Sequence, residues 1–187
     1  GTYWPGIELN LQNAVLIDFD FSHCKARTVS FEGTRFLGRA SFRDVTLDEY
    51  ALFSLAVFSG FASFDRFGFG GDAAFDLAEF TKGVSFEKAK FRGDAIFSDA
   101  RFDGIAKFGW LSARSHTRFD RASFVGKALF NSAVFGGETS SESASFDGVV
   151  ELKNCHFSAD VTFRSASFVG EAYFDGSSIY GQLSLEG

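Results

Sequence analysis

From Phe31 onward, large apolar residues return at alternating steps of five and six, so the hydrophobic pattern repeats every 11 residues. Phe75, Phe80, Phe86, Phe91, Phe97, Phe102 and Phe108 carry the beat, and 24 of the 27 phenylalanines fall on it. Neither a helix nor a strand has so long a period. A fixed period sustained along most of a chain predicts a solenoid, in which each unit buries its apolar face against the next. Two residues before each beat lies a second fixed position, nearly always small: Ala40 before Phe42, Ala51 before Phe53, Ala73 before Phe75. Where Ala is absent the residue is usually Val, Thr or Cys, as at Val84, Thr117, Cys155 and Val161. Residues i−2 and i of an extended segment share a face. Each unit therefore points one small and one large side chain inward, and polar residues between them point out.

The N-terminal stretch keeps strict steps of five, through Leu11, Leu16, Phe21, Ala26, Phe31 and Phe36. Asn13-Ala14-Val15-Leu16-Ile17 and Gly33-Thr34-Arg35-Phe36-Leu37 resemble the unit of the pentapeptide-repeat family, a small residue two places before a central Leu or Phe. The resemblance runs through residues 9–187 and leaves 1–8 as an N-terminal cap or linker, with Tyr3-Trp4-Pro5-Gly6 the capping segment. It implies an all-β fold, a right-handed quadrilateral β-helix with one unit per side.

After Phe36 every second unit gains one residue, often marked by Gly two places after a beat, as at Gly38, Gly60, Gly71, Gly93, Gly104, Gly126, Gly137, Gly148 and Gly170. Gly suits a bulge or corner that needs positive φ. The coil is then 22 residues long rather than 20. Counting beats from Leu11 to Leu185 gives about eight coils, a rod roughly 40 Å long at one strand spacing per coil. The core ladder is Phe42, Phe53, Phe64, Phe75, Phe86, Phe97, Phe108, Phe119 and Phe130. It breaks at Ala26, Leu47, Ala113, Ser141, Leu152, Ile179 and Leu185. Leu111 at the small position compensates Ala113. Ser141, in the polar stretch 136–143, has no such partner, which predicts an out-turned loop or weak coil there, or else an underpacked rung.

Composition sharpens this picture. Twenty-seven Phe against four Tyr and two Trp means aromatic volume without polar handles, suited to a dry interior. A formal charge of -6 argues against direct binding of nucleic acid or anionic membrane and permits a basic partner. The chain has no Met, which predicts a domain excised from a longer product or a processed one. No apolar run approaches the ~20 residues that span a bilayer. Leu183-Ser184-Leu185-Glu186-Gly187 stops in mid-pattern without a capping helix, so the last coil is expected to continue in a parent protein or pair with a second copy, a possible homodimer.

Candidate chemistry is sparse. His23-Cys24 and Cys155-His156 look like halves of a metal site, but they lie about six coils, ~29 Å, apart along the rod. No zinc ion spans that distance, nor does a disulfide. Both cysteines read as small core residues. Two cysteines make no disulfide framework and leave the compartment open, with a reducing, cytoplasmic one favoured. Phosphate-binding glycine loops, HExxH and GxSxG are absent from the sequence. Ser112, Ser115 and Asp120 near His116 are too common in type to define a triad. A beat this regular leaves no long loops to wall a pocket, so neither an enzyme nor a cofactor is expected.

If positions 22 apart stack, one corner reads Tyr50, Asp72, Asp94, His116, Glu138, Asp160, Gln182. The neighbouring outward column reads Ser54, Asp76, Ser98, Asp120, Glu142, Arg164, Glu186. Asp72, Asp76, Asp94, Asp120, Glu138, Glu142 and Asp160 would form an acidic flank, whose stacked like charges should raise carboxylate pKa values. Such a flank either keeps a Phe-rich rod soluble or binds a basic surface. Phe61, Ile105 and Trp110 sit outward by phase. The leading reading is a non-enzymatic scaffold for a protein partner. The alternative comes from the resemblance, since some pentapeptide-repeat proteins mimic duplex DNA and protect type II topoisomerases such as DNA gyrase from quinolones. The modest charge and the scattered Arg and Lys count against that alternative.

Overall fold

The computed structural model describes residues 6–186, and over that span the chain winds into a stack of four-sided coils of short parallel strands, most of them two residues long. No helix occurs among the described residues. Side one carries Leu11, Phe31, Phe53 and Phe75; side two Leu16, Phe36, Phe58 and Phe80. Side three carries Phe21, Phe42, Phe64 and Phe86; side four Ala26, Leu47, Phe69 and Phe91. Pairing sets the coil length. Ala73 pairs with Ala51 and Ala95, Phe80 with Phe58 and Phe102, and Val84 with Ala62 and Ala106. Every one of these is a shift of 22, as the inserted residue requires. The first coil is tighter, with Glu8 opposite Thr28. Sides two and three share one sheet because Arg35–Ser41 passes through their corner unbroken beside Val15–Asp20. Tyr3, Trp4 and Pro5 of the expected cap lie outside the described residues; Gly6 is exposed.

The nine rings expected in the core are all buried, and they form two ladders rather than one. On side three, Phe42, Phe64, Phe86, Phe108 and Phe130 stack nearly parallel at 4.7–5.3 Å between centroids. On side one, Phe53, Phe75, Phe97 and Phe119 do the same at 4.9–5.0 Å. The two ladders meet edge to face, Phe53 against Phe64 at 5.2 Å and 89°. Both geometries suit the ring quadrupole, and each pair adds about 0.5–1.5 kcal/mol beyond burial. Side four is irregular, and there the small position takes up the slack: Leu111 and Ala113 are both buried. Phe67, off the beat, fills that same column and stacks on Phe69 at 3.9 Å.

Two expectations are corrected. Ser141 does not turn out: Thr139–Ser140 pair in register with Thr117–Arg118 and Val161–Thr162, and Ser141 is buried. Backbone pairing holds the rung whatever side chain it carries. The missing volume appears instead as a void of about 10 Å³ between Phe119, Phe130, Leu152 and Phe163, the underpacked alternative.

The corner glycines also play a different part from the one expected. Among the nine that mark the insertion, only Gly38 has positive φ. All the rest but Gly71 are required by close approach: a Cβ on Gly126 would lie 2.3 Å from the Gly104 carbonyl oxygen of the coil below. Left-handed backbone falls at the other two corners, on Asp44, Leu55, Arg66, Leu77, Lys88, Asp99, Trp110 and Arg121, with φ of 52–60°. From Leu55 to Arg121 each is the third residue of a tight turn closed onto the carbonyl of the beat, as in Ala56 N–H to Phe53 O at 3.1 Å. These residues are of every chemical type, so composition does not reveal them.

Candidate functional site: the acidic corner

The corner between sides four and one stacks Tyr50, Asp72, Asp94, His116, Glu138, Asp160 and Gln182 as the 22-residue coil requires. Its carboxylates are not free acids lined up in water. Asp72 Oδ1 accepts the backbone N–H of Asp94 at 2.8 Å, Asp94 Oδ1 that of His116 at 3.2 Å, and Asp160 Oδ1 that of Gln182 at 2.8 Å. A corner interrupts the strand ladder, and a short Asp side chain of one coil caps the N–H that the next coil leaves open. Glycine makes the room: a Cβ on Gly93 would lie 2.4 Å from Asp72 Oδ1, and one on Gly181 2.5 Å from Asp160 Oδ1. Glu138 makes no such cap and instead faces His116 Nδ1 at 3.7 Å.

The neighbouring column behaves similarly. Ser54 Oγ donates to Asp76 at 2.8 Å. Asp120 accepts the Ser140 hydroxyl and, at 3.1 Å, the N–H of Glu142. The structure thus brings Asp72, Asp94, Glu138 and Asp160 into one column and Asp76, Asp120 and Glu142 into the next. It also pairs cations from outside the two columns with acids in and beside them. Arg118 Nη1 lies 2.9 Å from Asp94 Oδ2, and Arg121 forks onto Asp99 at 2.7–2.8 Å. Arg118 is 24 residues past Asp94, one coil plus two, an offset that a search of single columns misses.

The expected rise in carboxylate pKa is overturned at Asp94. Burial pushes it up, but the Ser115 hydroxyl at 2.5 Å, the Arg118 guanidinium and the His116 N–H outweigh burial and hold it below the ordinary value. Hydrogen bonds to the ionised form and the nearby guanidinium charge prevail over the cost of burying it. Elsewhere, burial raises the Cys155 thiol, and no cluster of His, Cys, Asp or Glu able to hold a metal occurs among the described residues. Cys24 is half-buried and Cys155 buried; both are free. Phe61, Ile105 and Trp110 are exposed, as their phase required.

Fold and corner together define a four-sided β-solenoid whose corners carry its polar groups. The chain belongs to the pentapeptide-repeat family, whose repeat model matches residues 64–109 and 142–187. Among solved structures it is similar to HetL, a pentapeptide repeat protein involved in heterocyst differentiation regulation from the cyanobacterium Nostoc sp. strain PCC 7120. That match has 13% identity, covers 96% of this chain and 89% of HetL, and has a TM-score of 0.28. No curated protein matches the chain.

Proposed function

We propose that the rod is a non-enzymatic scaffold and that its acidic corner docks a basic surface of a protein partner. The observation that supports this is the set of carboxylates of Asp72, Asp94 and Asp160, each fixed by a backbone N–H of the next coil. Groups already held in place lose little side-chain freedom on binding, so their charge acts at low entropic cost. A rigid column of acceptors repeated coil by coil offers charge complementarity to Lys and Arg, which favours encounter rate and specificity. A DNA-binding enzyme such as gyrase has a surface of that sign, but nothing in the corner singles it out, and Arg118 and Arg121 interrupt the DNA-like charge.

The test replaces Asp72, Asp94 and Asp160 by Asn and Glu138 by Gln together. Asn keeps the oxygen that accepts the backbone N–H, so the fold is retained and only charge is lost. Partners cross-linked to wild type in extracts of the native source should be lost by the variant. Equal cross-linking by both proteins refutes the docking role and leaves the corner a structural and solubilising one.

A further inference from the structure

Side four carries a second feature, of opposite sign. Gly68 is an outward position with Thr46 below it and Lys90 above, while Gly70 packs against the Leu47 and Asp48 carbonyls of the coil below. The side chain missing at Gly68 leaves a groove of about 460 Å³ walled by Arg66, Lys88, Lys90 and Arg92. Lys90 and Arg92 also line a neighbouring hollow of about 210 Å³, whose far wall is Ser112 and Arg114 of the next coil. The nearby acids are engaged: Asp44 is forked by Arg66, Asp48 lies 3.4 Å from Lys25, and Asp94 is paired with Arg118. Lys90, Arg92 and Arg114 are exposed, and no carboxylate lies within 4.0 Å of them among the described residues. In a chain of net charge -6 acids outnumber cations, so random placement would pair them. Instead like charges sit on adjacent paired strands, an arrangement that costs stability unless an anion lies between them.

We propose that this groove binds a ligand carrying two or more phosphoryl groups. Arg92 and Arg114 each follow one of two paired strands whose backbones run about 4.8 Å apart, and Lys90 lies two residues before Arg92, about 7 Å along the chain. A fork matches two oxygens of one phosphate, while Lys serves as a point charge for another. A single carboxylate would satisfy only one of the three. The groove has the volume of a small-molecule site, and the straight side offers no concave wall for a nucleic-acid duplex. The same chemistry is presented by free polyphosphate, by a nucleoside triphosphate and by a phosphoinositide headgroup.

The full chain is titrated by calorimetry with inorganic tripolyphosphate and with ATP, and by co-sedimentation with phosphatidylcholine vesicles containing phosphatidylinositol bisphosphate. Saturable binding that weakens as salt rises is expected with at least one probe, and the probe that binds identifies the source of the phosphate. Lys90→Gln with Arg92→Gln should weaken binding about tenfold or more, since charge-assisted contacts are lost. Gly68→Asp should abolish it. A Cβ there would meet nothing nearer than the Thr46 methyl at 3.7 Å, so the added carboxylate enters the groove without displacing backbone. Arg101→Gln, remote on side two and paired with Asp103, should leave binding unchanged. Melting temperatures confirm that each variant folds. The proposal is overturned if none of the three probes binds, if binding survives both groove variants, or if polyglutamate binds where tripolyphosphate does not.

Discussion

Asp72 Oδ1 accepts the backbone N–H of Asp94, one full coil further along the chain, at 2.8 Å. The carboxylate does at the corner what a carbonyl does along the sides, so its geometry matters to stability more than its charge. Asp72→Asn, which keeps the accepting oxygen, should leave the urea midpoint nearly unchanged. Asp72→Ala orphans the Asp94 N–H and should cost about 1 kcal/mol, discounted for solvent access at an exposed corner. Equal losses in the two variants would mean that charge, not capping, is what the corner uses.

Leu111 and Ala113 exchange the volumes that Ala89 and Phe91 hold one coil below and Ala133 and Phe135 hold one coil above. Leu111→Ala leaves two small residues on one rung and should cost about 2–5 kcal/mol. Adding Ala113→Phe restores the neighbouring pattern and should recover most of that loss. Denaturation of both single variants and the double one gives the coupling directly, and simple additivity would show that the two sites do not share a volume.

The inward half of this molecule was legible in its sequence. A ring every five or six residues, with Ala two places earlier, has one economical solution, and Ala73 pairing with both Ala51 and Ala95 is that solution in three dimensions. The corners were less legible because they depend on contacts 20 to 24 residues apart. Gly126 looks like a turn residue but is required by the Gly104 carbonyl a coil away, while the true left-handed positions accept Leu77, Lys88 and Trp110 alike. The acidic column was readable from spacing. Its pairing with Arg118 and its hydrogen bonds to the next coil's N–H were not, because side-chain reach has no sequence signature. The groove at Gly68 was hidden for the same reason that the repeat was plain: the residue sits outward, where the beat is silent.

Close approach and free surface can be told apart at two glycines. Gly126→Ala places a Cβ 2.3 Å from the Gly104 oxygen, so one coil must shift, at a cost of about 1–3 kcal/mol. Gly68→Ala meets nothing nearer than 3.7 Å within a strand and should be stabilising by about 0.5–1 kcal/mol. Midpoints moving in opposite directions in urea would establish the distinction; two losses of similar size would mean that glycine serves chain flexibility in both places.

Acid should loosen the turns. Hydrogen bonds from the Arg66 and Arg121 guanidinium groups hold Asp44 and Asp99 below the ordinary carboxylate value. A depressed folded pKa contributes stability that is complete above the unfolded value of about 3.9 and lost as pH falls through the folded one. The melting temperature should therefore be level from neutral pH to about pH 5 and fall below about pH 4. Arg66→Gln with Arg121→Gln should flatten that acid limb by lowering the neutral value by the same amount, a small one because both pairs are largely exposed. An unchanged acid limb in the double variant would assign the loss to other carboxylates.

The void beside Ser141 offers the opposite experiment, a gain. Phe119 lies one coil before Ser141 and Phe163 one coil after it on side one, so the ring ladder there lacks a single rung. Ser141→Val adds apolar volume where backbone pairing already fixes the frame, and it removes a buried hydroxyl from an apolar setting. Each added methylene-sized group buried is worth about 0.8 kcal/mol, so the variant should gain about 1 kcal/mol. Ser141→Phe would need more than the void supplies and should gain less than Val or lose stability through strain. Urea midpoints ordered Val above wild type, with Phe below Val, would identify a rung short of roughly one small side chain. A larger gain from Phe would mean that the neighbouring rings part readily enough to complete the ladder.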